Sequence, residues 1–199
     1  MPDWFELCVG LEAAASRLRQ YEPELIPGLL QTPAYTVEVI ATDHADMSDE
    51  DRQRRADIKA QRQQLLTRKV QPAPEFTFII NEAALRRPLP DRMDMGQQLR
   101  RLVDAAALPN ISIRVLPLSA GIHRAAMAGA FVILDFPRIR DRDPEPSTVY
   151  SENVTGALYL DKDGEVSVYE SVWNAAVEKS LGADESREVI SEIAKEHHP

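Results

Sequence analysis

Tyr21-Glu22-Pro23-Glu24-Leu25-Ile26-Pro27-Gly28-Leu29-Leu30-Gln31-Thr32 is the stretch on which the fold turns. Pro23 and Pro27 fix their own φ and push the residues before them out of helical backbone, and Gly28 adds a turn residue. No continuous helix runs through it. Tyr21, Glu22, Ile26, Leu29 and Leu30 then belong to an extended segment between helices, whose alternate side chains pack one part of the chain on the other.

Toward the N-terminus, Leu7, Leu11, Ala14, Ala15 and Leu18 form an apolar stripe at spacings of three and four, which predicts a helix over roughly residues 3–19. Phe5, Val9, Glu12 and Ser16 mark a second turn-spaced face. On the other side, Thr32 caps a short helix that starts at Pro33 and runs through Ile40. Ser48 caps a longer one running to about Lys69, with Asp49, Glu50 and Asp51 at its positive end and Arg62, Arg68 and Lys69 toward its negative end. Together these predict a helical subdomain over 1–70.

Gln71-Pro72-Ala73-Pro74 punctuates the chain, and the periodicity changes after it, which places a mixed α/β subdomain over 71–199. Strands are expected at 76–81, 111–116, 130–136, 148–151, 157–160 and 166–169. Met95, Leu99, Leu102, Val103 and Ala106 line a helix, 137–146 reads as an exposed loop, and Asp161-Lys162-Asp163-Gly164 is a hairpin signal. Trp173, Ala176, Val177 and Leu181 continue as a helix, and Asp184 caps a last one carrying Val189, Ile190 and Ile193. The expected class is α+β: a helical N-terminal third packed on a mixed α/β sheet, in one structural unit.

The composition is that of an ordinary globular chain: 199 residues, 44% hydrophobic and 28% charged. The longest apolar run, 130–134, is far shorter than a membrane helix needs, and the N-terminus lacks the basic start and apolar stretch of a secretory signal. The single Cys8 cannot form an internal disulfide and reads as a buried free thiol, so a cytoplasmic location is expected. A net charge of −9 opposes the nucleic-acid backbone, so the chain alone should bind DNA poorly. Neither GxGxxG nor GxxxxGK[ST] occurs, and no cofactor is expected.

Four features could carry chemistry. Asp43, His44 and Asp46 offer metal-ligating types, but consecutive residues seldom converge on one ion, so a solvated loop is preferred and no metal is expected. Cys8, His44 and His123 could serve nucleophilic catalysis, yet no GxSxG elbow surrounds any candidate, and the chain is not expected to be an enzyme. His197 and His198 sit at the C-terminal end. His123, in Ser119-Ala120-Gly121-Ile122-His123 between two strands, could hold an anion or act as a pH-sensitive contact, whereas the simpler role is bonding its own loop backbone. Arg52, Arg54, Arg55, Lys59, Arg62, Arg68 and Lys69 are offset by Asp49, Glu50, Asp51 and Asp57, which indicates a solvated face with intrahelical pairs; docking onto an acidic partner is the alternative.

The 21–32 stretch closely resembles the uncharacterised C-terminal domain of actinobacterial Xre-type helix-turn-helix regulators, often called antitoxin-like. Further matches follow in order: Arg62-Gln63 with Leu65, Asn81-Glu82-Ala83-Ala84-Leu85-Arg86-Arg87-Pro88, Gln98-Leu99, Leu108-Pro109-Asn110, Val115-Leu116-Pro117, Gly121 with His123, Tyr150, and Glu185-Ser186-Arg187. The resemblance implies a regulatory domain that senses a small-molecule effector, binds a small partner protein or mediates dimerisation, while a separate N-terminal domain, missing here, reads DNA. The chain is then a fragment of such a regulator or a stand-alone antitoxin-like protein; a phosphoryl- or glycosyl-active hydrolase is the third option. Leu89-Pro90-Asp91 and Arg124-Ala125-Ala126-Met127 depart from the family pattern. In element order the second half is also similar, distantly, to half of a phospholipase-D-like fold, without its HxK catalytic signature. The expected ligand- or partner-binding residues are Tyr21, Glu22, Gly28, Leu29, Gln31, Glu82, Arg86 and His123.

Overall fold

In the computed structural model, which describes residues 3–68, 74–138 and 144–197, the predicted first helix is cut short. α1 (Asp3–Ala14) ends with Ala15 N–H bonded to Leu11 O, and Ser16 N–H then donates to Asp135 O at 2.9 Å. That bond starts β1 (Arg17–Glu22), which the sequence expectation had given partly to the helix. Leu18 satisfied the helical stripe, but pairing on both sides outweighs local periodicity: β1 runs parallel to β2 (Glu75–Asn81) and antiparallel to β4 (Phe131–Asp135). The 23–32 segment therefore joins a strand to a helix, through a short 3-10 turn at Gly28–Leu30, and does not join two helices.

β3 (Ile111–Leu116), β5 (Thr148–Asn153) and β6 (Gly156–Leu160) complete a six-stranded mixed sheet of order β3-β2-β1-β4-β5-β6. β1, β2 and β3 are parallel, and β4, β5 and β6 are antiparallel. The parallel half requires crossovers, supplied by α2 (Pro33–Asp43) and α3 (Asp49–Arg62) before β2 and by α4 (Glu82–Arg86) and α5 (Arg92–Ala105) before β3. The fold is α+β, and its sheet takes β1 from the first 70 residues and its other strands from the remainder. The Gln71-Pro72-Ala73 part of the expected boundary, Lys69, His198 and 139–143 of the expected 137–146 loop lie outside the described residues.

Both faces of the sheet are covered. On one, Leu18, Phe76, Phe78, Ile80, Ile113 and Leu134 pack with Cys8, the Ile26–Leu30 turn, α5 and α7 (Ala183–Lys195). On the other, Tyr21, Ile79, Phe131, Ile133 and Val149 meet Val172, Trp173 and Ala176 of α6 (Asp163–Lys179). α6 corrects two expectations: Asp163 and Gly164 begin a helix instead of closing a hairpin, and 166–169 is helical instead of a strand. Val166, Tyr169, Val172, Trp173, Ala176 and Val177 share one side at helical spacing, whereas Val168, which suggested alternation, is exposed.

The caps follow the sequence more closely. Thr32 Oγ1 accepts from Tyr35 N–H ahead of Pro33, and Ser48 Oγ accepts from Asp51 N–H at the start of α3. At α7 the cap position is Gly182, whose N–H donates to Glu185 Oε2 at 3.0 Å, so Asp184 lies in the first turn and is not the cap. Among the described residues no helix is long and apolar enough to cross a membrane.

Candidate functional site

In open α/β sheets, crevices form beyond the C-terminal ends of strands where the strand order reverses direction. Here that place is the end of β1, with β2 on one side and β4 on the other. A cavity of about 180 Å³ lies there on the α1 side of the sheet. Its wall comes from Cys8 and Glu12 of α1, Gln20 and Glu22 of β1, Ile26, Gly28 and Gln31 of the following segment, Lys59 and Arg62 of α3, and Tyr150 and Glu152 of β5.

Strand alternation decides which residues reach it. Gln20 and Glu22 project to the cavity side, whereas Arg19 and Tyr21 project to the α6 side, where Arg19 binds Asp135 and Glu170. Gln31 is buried and satisfied at both ends of its amide: Nε2 donates to Ile26 O at 2.8 Å and Oε1 accepts from Thr36 Oγ1 at 3.1 Å. Gln98 of α5 grips the same segment, donating to Leu30 O and accepting from Thr32 N–H. The segment's shape is thus held by two glutamines as well as by its prolines.

A buried ion pair forms the floor. Arg62 Nη2 lies 2.7 Å from Glu12 Oε2 and 2.8 Å from Oε1, with Nε also bonded to Oε2. The Glu12 side chain is 3% exposed and that of Arg62 12%. Burial pushes the Glu12 carboxyl up and Arg62 draws it back. Burial, then the Glu12 charge, drives the Cys8 thiol far above its usual range, so it stays protonated and inert. Glu22 is raised to about 7, chiefly by burial and further by Glu152, against one bond from Gln20 Nε2 at 2.8 Å. Tyr150 O–H donates to Glu152 Oε2 at 2.7 Å.

Of the expected binding residues, Glu22, Gly28 and Gln31 line this cavity, and Tyr21, Leu29, Glu82, Arg86 and His123 do not. Leu29 is a core residue. Tyr21 stacks edge-on to His123, with ring centroids 6.3 Å apart, on the opposite face. His123 Nδ1 accepts from Ala126 N–H at 3.1 Å, the local role that competed with ligand binding in the sequence; burial, then Lys179, lowers its pKa. Glu82 accepts from Leu118 N–H and pairs with Arg86, and these two bonds outweigh burial and hold its carboxyl below the ordinary range. Arg86 also reaches Glu196. Asp43 and His44 form a local pair at 3.4 Å, and among the described residues no group of three His, Cys, Asp or Glu could hold a metal ion.

The model of the family described as "Domain of unknown function (DUF5753)" matches residues 5–192. The chain belongs to the DUF5753 family. No curated protein and no solved structure matches it.

The cavity of this DUF5753 domain contains residues that sequence reasoning passed over: Glu12, Gln20, Tyr150 and Glu152 had no binding role assigned, and Lys59 and Arg62 were weighed only for docking onto an acidic partner. One signal was present. Glu12 is the single charged residue in the otherwise apolar run 7–15, the position of an acid that has a buried partner. Gln20 and Glu22, two apart, fall on one face only once β1 is known to be a strand.

Proposed function

We propose that this domain is the regulatory, ligand-binding part of an Xre-type helix-turn-helix transcription regulator, and that it acts by binding without catalysing a reaction. The signal is a small polar molecule in the cavity at the end of β1, and its occupancy is passed to the attached DNA-binding domain. The observation that supports this is the make-up of the wall: α1, β1, the 23–32 segment, α3, β4 and β5 all contribute, so one occupant contacts elements far apart in sequence. Among the described residues the lining includes no serine, threonine or histidine, and its one cysteine is held protonated, which favours binding over attack by a hydroxyl or thiol.

Gly28 provides the test. A Cβ placed there meets only Arg62 Nη1, at 4.0 Å, so the backbone leaves room for a side chain at this position of the wall, and Gly28→Leu is expected to occupy part of the cavity. In a thermal-shift screen of small molecules sorted by charge, at least one class should raise the Tm of the wild-type domain, and Gly28→Leu should remove the rise. A screen in which the two proteins respond alike eliminates the proposal. In the intact regulator the same compound should change operator affinity, and an unchanged affinity would eliminate the regulatory role.

A second reading, a partner-binding antitoxin-like protein, is favoured by an adjoining groove of about 660 Å³ between α1 and the end of α3, which shares Lys59 and Arg62 with the cavity. Val9, Ala13, Ile58 and Leu65 line it beside Lys59 and Arg68, and Ile58 is exposed. Under this reading Ile58→Asp abolishes co-purification of a partner from the native host and leaves the cavity's thermal response intact.

A further inference from the structure

The charges around the cavity do not balance. Glu12, Glu22 and Glu152 face Lys59 and Arg62. Glu12 and Arg62 are committed to each other by three short hydrogen bonds. Glu152 accepts the Tyr150 hydroxyl, and burial, then Arg62, lowers the Lys59 pKa, with Glu152 opposing that shift. Glu22 has a single bond from the neutral Gln20 amide, and among the described residues no Lys or Arg is paired with it. A carboxylate drawn out of water without a countercharge is costly, and it either keeps its proton or recruits a cation.

We propose that the cavity takes a small organic monocation, an alkylammonium group on a short apolar body, with the ammonium on Glu22 and the body against Leu25, Ile26, Val39 and Val132. This rests on the ligand-binding function proposed above and specifies its chemical class. The volume, about 180 Å³, matches roughly six waters at their liquid share. An occupant of a few heavy atoms fits. An anion would face three carboxylates against two cations, one of which, Arg62, is already held by Glu12, and a metal ion lacks a third ligand, since no trio of His, Cys, Asp or Glu among the described residues could hold one.

The groups facing Glu22 are Cys8 and Glu12 from α1, Lys59 and Arg62 from α3, and Tyr150 and Glu152 from β5. With Glu22 at about 7, the carboxylate that receives the ammonium is mostly protonated at pH 6 and mostly ionised at pH 8. Affinity for a monocation therefore rises by about tenfold over that interval, in proportion to the competent fraction.

Calorimetric titration of the domain with n-butylamine, with butyrate and 1-butanol as controls, tests this. The amine should bind and the controls should not, with affinity about tenfold greater at pH 8 than at pH 6. Glu22→Gln should weaken amine binding at pH 8 by at least about tenfold and abolish the pH dependence. Its Tm at pH 8 should equal or exceed the wild type, which separates lost binding from lost folding. Binding of butyrate in place of the amine, blocked by Gly28→Leu, overturns the monocation assignment and leaves the ligand-binding function standing. Equal binding of 1-butanol and n-butylamine also overturns it. If none of the three binds, the monocation assignment falls, and the charge-sorted thermal screen decides separately whether the cavity binds anything.

Discussion

Two carboxylates within one cavity behave in opposite ways because one is paired with a cation and the other has only a neutral amide for a partner. Glu12 is buried against Arg62 with two-pronged geometry, so removing it strands a guanidinium in the interior. Glu12→Ala should cost on the order of 3–5 kcal/mol, read from the urea midpoint at pH 7. Glu22 presents the reverse case. Its pKa is raised from 4.5 to about 7, so the folded state keeps a proton that the unfolded chain has released. The stability from the neutral acid is fully present below about 4.5 and is lost as pH rises to about 7. Glu22→Gln removes that loss: it should be nearly neutral at pH 4.5 and stabilising at pH 8, by on the order of 1–3 kcal/mol, with denaturant midpoints at the two pH values as the check.

Among the elements, β1 and the turn after it carry the site. The turn depends on α5: Gln98→Ala would strip partners from Leu30 O and Thr32 N–H together, at a cost of about 2 kcal/mol or more in the urea midpoint. Most elements were legible because their signals are local. Thr32-Pro33 and Ser48 mark helix starts, the β-branched run at 76–81 marks a strand, and Cys8 reads as a buried thiol, as found. β1 and the start of α6 were misassigned for one reason. Runs of four to six residues fit both periods, and only their surroundings choose: Arg17–Glu22 is a strand because two strands flank it, and 166–169 is helical because it continues the apolar stripe of Asp163–Lys179 that covers a sheet face. The site was half legible for the same reason. Glu22, Gly28 and Gln31 were visible in the segment that lines the cavity, but Glu12, Lys59, Arg62 and Glu152 come from three other elements whose approach no local pattern encodes.

At the scale of the molecule, one sheet with covered faces ties the parts together. β1 sits centrally, bonded to β2 and β4, and its side chains enter both cores. Unfolding should therefore be cooperative: Trp173 fluorescence, read in a Trp4→Phe background so that it reports the α6 face, and far-UV circular dichroism should lose signal at the same urea concentration, whereas separate midpoints would mean that the halves unfold independently. The same connectivity suits the proposed regulatory role, because an occupant at the end of β1 would contact α1 and α3 as well as the sheet. The most direct measurement of that central claim is hydrogen exchange of the domain, free and saturated with the compound that gives the largest thermal shift. Exchange should slow in α1, in residues 26–31 and at the end of α3, while α6 remains unchanged. Protection confined to α6 or to the Tyr21–His123 side, or no change anywhere, would contradict the account.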